Sequence, residues 1–338
     1  MCCSVDIGTC FLVSAKPGED GQIQLKSIRD AFLDMDNDPQ VKNMMKMSGA
    51  SFIEGEDKLY IIGESALVVA NIFNKEARRP LSKGVIAPGE LEAEKILLVL
   101  IKDILGNAKV ENETCYFSIP AEPIDHDADI VYHQAMFSKL IGSLGYKPIA
   151  LNEAAAIVYS NCAKEKFSAL AISFGAGMTN VCLMYQTVIG MSFSIARCGD
   201  FIDQCSAKST GTTASRIQSI KERGINLLDP AEGDLKTFRE REAISIYYKS
   251  LVLYVLNKVK EEFLKREGNI ELPNAIPIIL SGGTSLAKNF KEFFETGFNE
   301  VKAKFPIPIS EVRMATEPLN AVAQGLLVAA MNYDEGSQ

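Results

Sequence analysis

Apolar residues along the chain fall into short β-rich blocks that alternate with stretches of helical spacing. The alternation begins at once: Ser4–Val13 (SVDIGTCFLV) reads as strand, glycine turn, strand. A polar stretch follows around Asp34–Ser51 (DMDNDPQVKNMMKMSGAS). Short strands are predicted at Ser51–Ile53 and Leu59–Ile62, and a helix near Glu64–Phe73. From Gly89 to Leu105 apolar residues recur at helical spacing, with acids early and a lysine late, as the helix dipole prefers. ETCYFSIP predicts a strand, Ala128–Leu144 an amphipathic helix, KPIAL a short strand and NEAAAIVYSNCA an alanine-rich helix. A strand–helix–strand rhythm of this kind predicts parallel strands joined by crossover helices.

Around Lys164 the pattern restarts. Phe167–Tyr185 (FSALAISFGAGMTNVCLMY) is again an apolar strand, a glycine-rich turn and a second apolar strand. Two halves that open alike predict two similar α/β domains facing each other across a cleft. Helical regions follow at Thr213–Arg223 and Arg239–Arg266, then a buried strand, a double-glycine turn and a helix start over Ala275–Phe290. A helix rich in Ala, Val and Leu closes the pattern over Glu317–Met331.

Bulk properties narrow the function classes. At 338 residues the chain exceeds what one core usually covers, so two domains are expected. A formal net charge of -8 opposes non-specific binding to nucleic acid and anionic lipid. No apolar run has the length of a membrane span, and the N-terminus lacks the pattern of a signal peptide. A cytoplasmic protein is expected, without direct membrane insertion. The eight cysteines include no C-x-x-C pair, and several lie in apolar runs, where thiols act as small hydrophobes. An iron–sulfur or redox site from Cys2, Cys3 and Cys10 is the sharper alternative, but its spacing fits no common ligand pattern. His126 and His133 are too few for a metal site and are expected at the surface.

Three glycine turns carry candidate chemistry: Asp6-Ile7-Gly8-Thr9, Gly175-Ala176-Gly177-Met178-Thr179 and Gly282-Gly283-Thr284-Ser285. Glycine lets backbone N–H groups approach a phosphate with no Cβ in the way, and a neighbouring hydroxyl adds a donor. Two such turns close hairpins and one joins strand to helix, so together they describe a nucleotide clamp. A buried Asp6 needs a partner. Hydrated Mg²⁺ on nucleotide phosphates supplies one, whereas a plain Asx cap of its own turn is the simpler alternative.

These residues resemble the actin, Hsp70 and sugar-kinase superfamily. VDIGT resembles its first phosphate hairpin, AISFGAGMTNV the second, IILSGGTSL the adenosine motif and ALNEAAAIVY the first connecting helix. Within the superfamily the details are similar to the bacterial actins of the MreB and MamK branch. KGVIAPGELEAEKIL resembles the segment before that branch's long helix, CGDFID the motif after the second hairpin, and TASRIQSIKERG the nucleotide-contacting helix. The resemblance implies two actin-like, ribonuclease H-like α/β domains with mixed sheets flanked by helices and an interdomain nucleotide cleft. It places domain I at residues 1–145 plus 312–338, with a small subdomain at about 34–80. Domain II then covers 146–311, with a small subdomain at about 197–257.

Carried over residue by residue, the resemblance implies ATP or ADP with Mg²⁺ as cofactors. Gly8 and Thr9 would hold phosphates, and Asp6 would hold Mg²⁺ through water. Glu153 would position the attacking water, and Gly175, Gly177 and Thr179 would close on the phosphates from the other side. Gly282, Gly283 and Thr284 belong to the adenosine motif, and Lys221 and Glu222 are candidates for ribose or base contacts. An ungapped alignment would put Gln218 and Ile220 there instead.

The second hairpin departs from the family's D-x-G-x-G-T-T: here Ser173 takes the aspartate position and Met178 that of the first threonine. In phosphoryl transfer, positioning and charge stabilisation supply nearly all of the rate. Nucleotide binding with slow hydrolysis is therefore expected, and restoring an aspartate at Ser173 is expected to speed phosphate release. The leading expectation is a cytoskeletal ATPase whose main partner is itself, in a filament, with cellular adaptors as further partners and no nucleic acid. A non-polymerising adaptor of the same fold is the alternative. A small-molecule kinase would need a base such as Asp200 or Asp203 aimed at a substrate hydroxyl. An ATP-driven reductase activator would need bridging cysteines. The Met-rich stretch VKNMMKMSGASFI suits either an adaptable subunit contact or a local core.

Overall fold

The computed structural model describes residues 2–18, 21–73, 75–266 and 272–336. It divides into two units: Met1–Ile119 with Asp129–Leu151 and Ala329–Gln338, and Pro120–Ala128 with Asn152–Val328.

In the first unit, β1 (Cys2–Ile7), β2 (Phe11–Pro17) and β3 (Ile23–Arg29) form an antiparallel meander. A three-stranded sheet of β4 (Phe32–Asp36), β5 (Phe52–Glu54) and β6 (Lys58–Ile62) follows, with α1 (Pro39–Ser48) and α2 (Glu64–Ile72). The hairpin β7 (Leu81–Ser82) and β8 (Val85–Ile86) leads to α3 (Ala93–Leu105), β9 (Glu113–Ile119), α4 (Ile130–Ser143) and β10 (Tyr146–Asn152). The large sheet has the order β10-β9-β1-β2-β3, with β1 and β9 parallel. Its core joins Val5, Leu12 and Phe117 to Leu97, Leu100 and Ile101 of α3 and Phe137 of α4. Those α3 residues are the apolar set whose helical spacing announced the element.

The second unit holds α5 (Glu153–Asn161), β11 (Ala169–Phe174), β12 (Thr179–Tyr185), β13 (Val188–Ile195), α6 (Gly199–Thr210), α7 (Ala214–Glu222) and α8 (Phe238–Leu264). It continues through β14 (Ile276–Ser281), α9 (Phe290–Val301), β15 (Ile309–Met314) and α10 (Ala321–Gly336). Its sheet has the order β13-β12-β11-β14-β15, again two antiparallel pairings beside parallel ones. Strand for strand this repeats the first unit's β3-β2-β1-β9-β10 order. The internal echo in the sequence is thus a repeat of topology. Phe174, Tyr248, Phe290 and Phe294 stack at the centre of the core, with ring centroids 5.1–6.4 Å apart.

The polar stretch 34–51 contains α1, which is capped at both ends: the Asp38 carboxylate accepts from Gln40 N and Val41 N, Pro39 opens the first turn, and Gly49 ends the helix at φ 70°. Its methionines divide, Met45 entering the local core and Met47 lying 89% exposed. His126 is at the surface, but His133 is fully buried on α4, 4.7 Å from the Phe137 ring. Burial alone pushes its imidazole down to about 4, so it stays neutral, as a core residue must without a counter-charge. Among the described residues no helix is long and apolar enough to cross a membrane.

Candidate functional site

The first glycine turn closes the β1–β2 hairpin, with Asp6 opposite Val13 and Ile7 opposite Leu12. Gly8 N donates to Phe11 O at 3.1 Å, and a Cβ at Gly8 would lie 2.7 Å from that oxygen, so the turn demands glycine. Thr9 is nearly buried, and its Oγ1 accepts from Gly84 N, in the turn between β7 and β8, at 3.2 Å. The half-buried Asp6 carboxylate accepts from Ser118 Oγ at 2.8 Å, and that serine hydroxyl in turn accepts from Ile7 N at 2.7 Å. Desolvation pushes the Asp6 carboxyl up to about 6, although the hydrogen bond from Ser118 works the other way.

The second glycine turn closes the β11–β12 hairpin at the equivalent place. Ser173, opposite Asn180, occupies the position that Asp6 holds in the first hairpin. The serine hydroxyl donates to Glu153 Oε1 at 2.6 Å, and Asn180 Nδ2 donates to Glu153 Oε2 at 2.8 Å. Asn180 is itself fixed, its Oδ1 accepting from Ala121 N at 3.2 Å. Glu153 stands in the first turn of α5, with Asn152 capping the helix through Ala155 N and Ala154–Val158 buried behind it. A buried helix stem and two buried donors therefore hold one carboxylate.

The backbone of this turn is pinned from one side. Thr284 Oγ1 and Gly199 N donate to Gly175 O at 2.6 and 3.3 Å, and Asp200 N donates to Ala176 O at 2.8 Å. In a trans peptide the N–H points opposite the carbonyl, so Ala176 N–H and Gly177 N–H are directed away from α6. That is the face a phosphate would meet. Thr179 does not share it: the side chain is fully buried and its hydroxyl donates to Arg197 O at 2.8 Å.

The third turn packs on the second. Gly282 has φ 91°, and a Cβ there would lie 2.3 Å from Phe174 O. Gly283 opens a short 3₁₀ turn, and Tyr248 OH donates to Thr284 O at 2.9 Å. Lys221 joins the same knot, donating to Gly199 O at 3.1 Å and pairing with Asp203 at 2.8 Å. Glu222 is exposed and accepts from Gln218 at 2.8 Å. Gly175, Gly282, Thr284 and Lys221 are thus brought together.

The sequence reading missed Ser118, Asn180 and Gly199. Ser118 is the last residue but one of β9, one step past the pairing of Val5 with Phe117, and nothing in the sequence marked it. Asn180 directly follows the glycine turn. Cys2 and Cys3 are buried in β1, and among the described residues no group of three His, Cys, Asp or Glu side chains could hold a metal ion.

Compared by sequence with curated proteins, the chain matches none. Its fold is similar to that of the "MamK double helical filament", with 14% identity, a TM-score of 0.72 and coverage of 98% of this chain and 99% of that one. MreB5 of Spiroplasma citri bound to ADP is similar at 15% identity and TM-score 0.65, over 99% and 97% of the two chains. The ethanolamine utilization protein EutJ from Carboxydothermus hydrogenoformans is similar at 14% identity and TM-score 0.52, over 96% and 88%. These likenesses establish an actin-like fold. A model of the Volactin family matches residues 1–330, and the chain therefore belongs to the Volactin family.

Proposed function

We propose that the chain is a nucleotide-dependent cytoskeletal protein, which binds ATP or ADP with Mg²⁺, assembles with copies of itself into filaments and hydrolyses ATP slowly. The observation that carries this reading is the Glu153 carboxylate held beside the second of two topologically equivalent glycine hairpins, the first of which carries Asp6. Structural relatives support it: MamK is a double helical filament, and MreB5 is bound to ADP in one structure and to AMPPNP in another.

In this reading Gly8, Thr9, Gly175 and Gly177 offer backbone and hydroxyl donors to phosphates. Gly282, Gly283 and Thr284 border the nucleoside, with Lys221 supporting their knot rather than reaching out, and Glu222 at most at its edge. Asp6, a carboxylate raised by burial, fits a hydrated Mg²⁺, which when bound neutralises phosphate charge. Glu153 orients the attacking water and accepts its proton's hydrogen bond. Ser173 provides no second carboxylate and instead donates to Glu153, and slow turnover belongs to this reading. A cytoplasmic location and recruitment of adaptor proteins belong to the same reading.

The serine also favours a second reading, a nucleotide-binding adaptor that does not polymerise. Calorimetric titration with Mg-ATP tests the site shared by both. Replacing Asp6 with alanine should weaken binding at least ~10-fold, the loss of one charge-assisted contact, and unchanged affinity would remove Asp6 from the site.

A further inference from the structure

We propose that Asn180 is a positioning residue for Glu153: it fixes the carboxylate in the orientation that serves the attacking water and keeps it ionised. The inference rests on the reading of Glu153 as the group that orients water, and it adds a residue which that reading does not require.

Three observations carry it. Asn180 is 1% exposed, so its amide is available only to protein groups. Its orientation is determined: Oδ1 accepts from Ala121 N at 3.2 Å, which leaves Nδ2 as the atom facing Glu153 Oε2 at 2.8 Å. A flipped amide would set its oxygen against the carboxylate and its N–H₂ against a backbone N–H, losing both bonds. Finally, Ser173 donates to the other oxygen at 2.6 Å, so each carboxylate oxygen has its own donor and rotation of the carboxylate plane breaks at least one bond.

Donors to a carboxylate favour its charged form. Asn180 and Ser173 together therefore oppose protonation of Glu153 in a half-buried site. Ala121 supplies the fixed point from the segment just beyond β9, three residues after Ser118, the partner of Asp6. Ser118, which donates to Asp6, and Ala121, which fixes Asn180, thus lie three residues apart in the chain.

The decisive variant is Asn180→Asp, which is isosteric and keeps an acceptor for Ala121 N–H but replaces the donor with a second carboxylate. Two carboxylates at hydrogen-bond distance share a proton, so the pair titrates as a unit with one step moved upward. Carbon-13 NMR of glutamate-labelled, nucleotide-free protein should show the Glu153 carboxyl titrating at least about one unit higher in Asn180→Asp than in the wild type. In steady-state assays kcat should fall ~10²-fold, with the acid limb of its pH profile moved upward and Mg-ATP affinity within about threefold of wild type. If Asn180→Asp does not fold, Asn180→Ala removes the donor without adding a charge and should raise the Glu153 titration in the same direction. An unmoved Glu153 titration in the folded variants overturns the inference. Failure of the wild type to release phosphate would instead remove the role of Glu153 in turnover, while the nucleotide-free titration still decides whether Asn180 governs its ionisation.

Discussion

Ser118 Oγ donates to Asp6 Oδ1 at 2.8 Å while accepting from Ile7 N at 2.7 Å, so one hydroxyl fixes the carboxylate to its own strand. Burial nevertheless pushes the Asp6 carboxyl from 3.8 to about 6. The folded chain thus holds a proton between those values that the unfolded chain has released. Stability from this group is full below the lower value and is lost as pH rises through about 6. At neutral pH the folded protein therefore carries an unfavourable charge at Asp6.

Asp6→Asn should therefore raise the Tm of the nucleotide-free protein at pH 7.5 by about 2–4 °C, the shift that ~1 kcal/mol produces in a domain of this size. The same variant should lose the Mg²⁺ dependence of nucleotide binding. In the wild type, Mg-ATP affinity should fall as pH drops below about 6, and in Asp6→Asn that dependence should vanish. Calorimetry from pH 5 to 8 measures both. A wild-type affinity that is flat across this range would contradict the role of Asp6.

Ser173→Asp tests the second hairpin. Sequence comparison alone argues that an aspartate here should speed phosphate release. The structure gives the serine a different task, since its hydroxyl donates to Glu153 Oε1 at 2.6 Å and an aspartate carries no such proton when ionised. Two adjoining carboxylates would repel or share a proton, which removes the charge that Glu153 uses. Phosphate release from Ser173→Asp at pH 7 should be no faster than wild type, and a clear acceleration would show that Glu153 is not tuned by this contact.

The repeat of strand, turn and strand was legible because it lies in local apolar blocks, and the three glycine turns because close backbone approach demands glycine. Ser118 and Asn180 were not legible as site residues: serine and asparagine are common near turns, and only the register of β1 against β9 and of β11 against β12 brings them to carboxylates. His133 misled because a polar residue on an amphipathic helix normally faces water, yet here it fills the core beside Phe137. Thr179 was legible as part of the hairpin but not as inward-facing, since one residue of register reverses a strand side chain.

Gly282→Ala should be severe. The φ of 91° disfavours any side chain, and the added Cβ would lie 2.3 Å from Phe174 O, a backbone atom that cannot rotate away. A loss of ~3 kcal/mol or more is expected, read from urea unfolding, because strain and a steric clash add. A loss below ~1 kcal/mol would mean that the third turn moves independently of β11.

The thiols provide a check on the fold that is independent of nucleotide. Cys10 and Cys205 are partly exposed, and the other six cysteines are buried. Burial pushes the Cys182 and Cys198 thiols up to about 12, which leaves almost no thiolate at neutral pH. A thiol reagent at pH 8 should label Cys10 and Cys205 quickly and the rest only after denaturation. Rapid native labelling of Cys182 or Cys198 would contradict the packing around both turns.

Filament formation is the central claim, and pelleting combined with electron microscopy tests it most directly. The purified chain at high concentration is compared with Mg-ATP, with Mg-ADP and without nucleotide. Filaments are expected in the pellet with Mg-ATP and far fewer without nucleotide, with Asp6→Ala remaining in the supernatant. Absence of filaments in every nucleotide state, from protein that binds Mg-ATP, would contradict it and leave the adaptor reading.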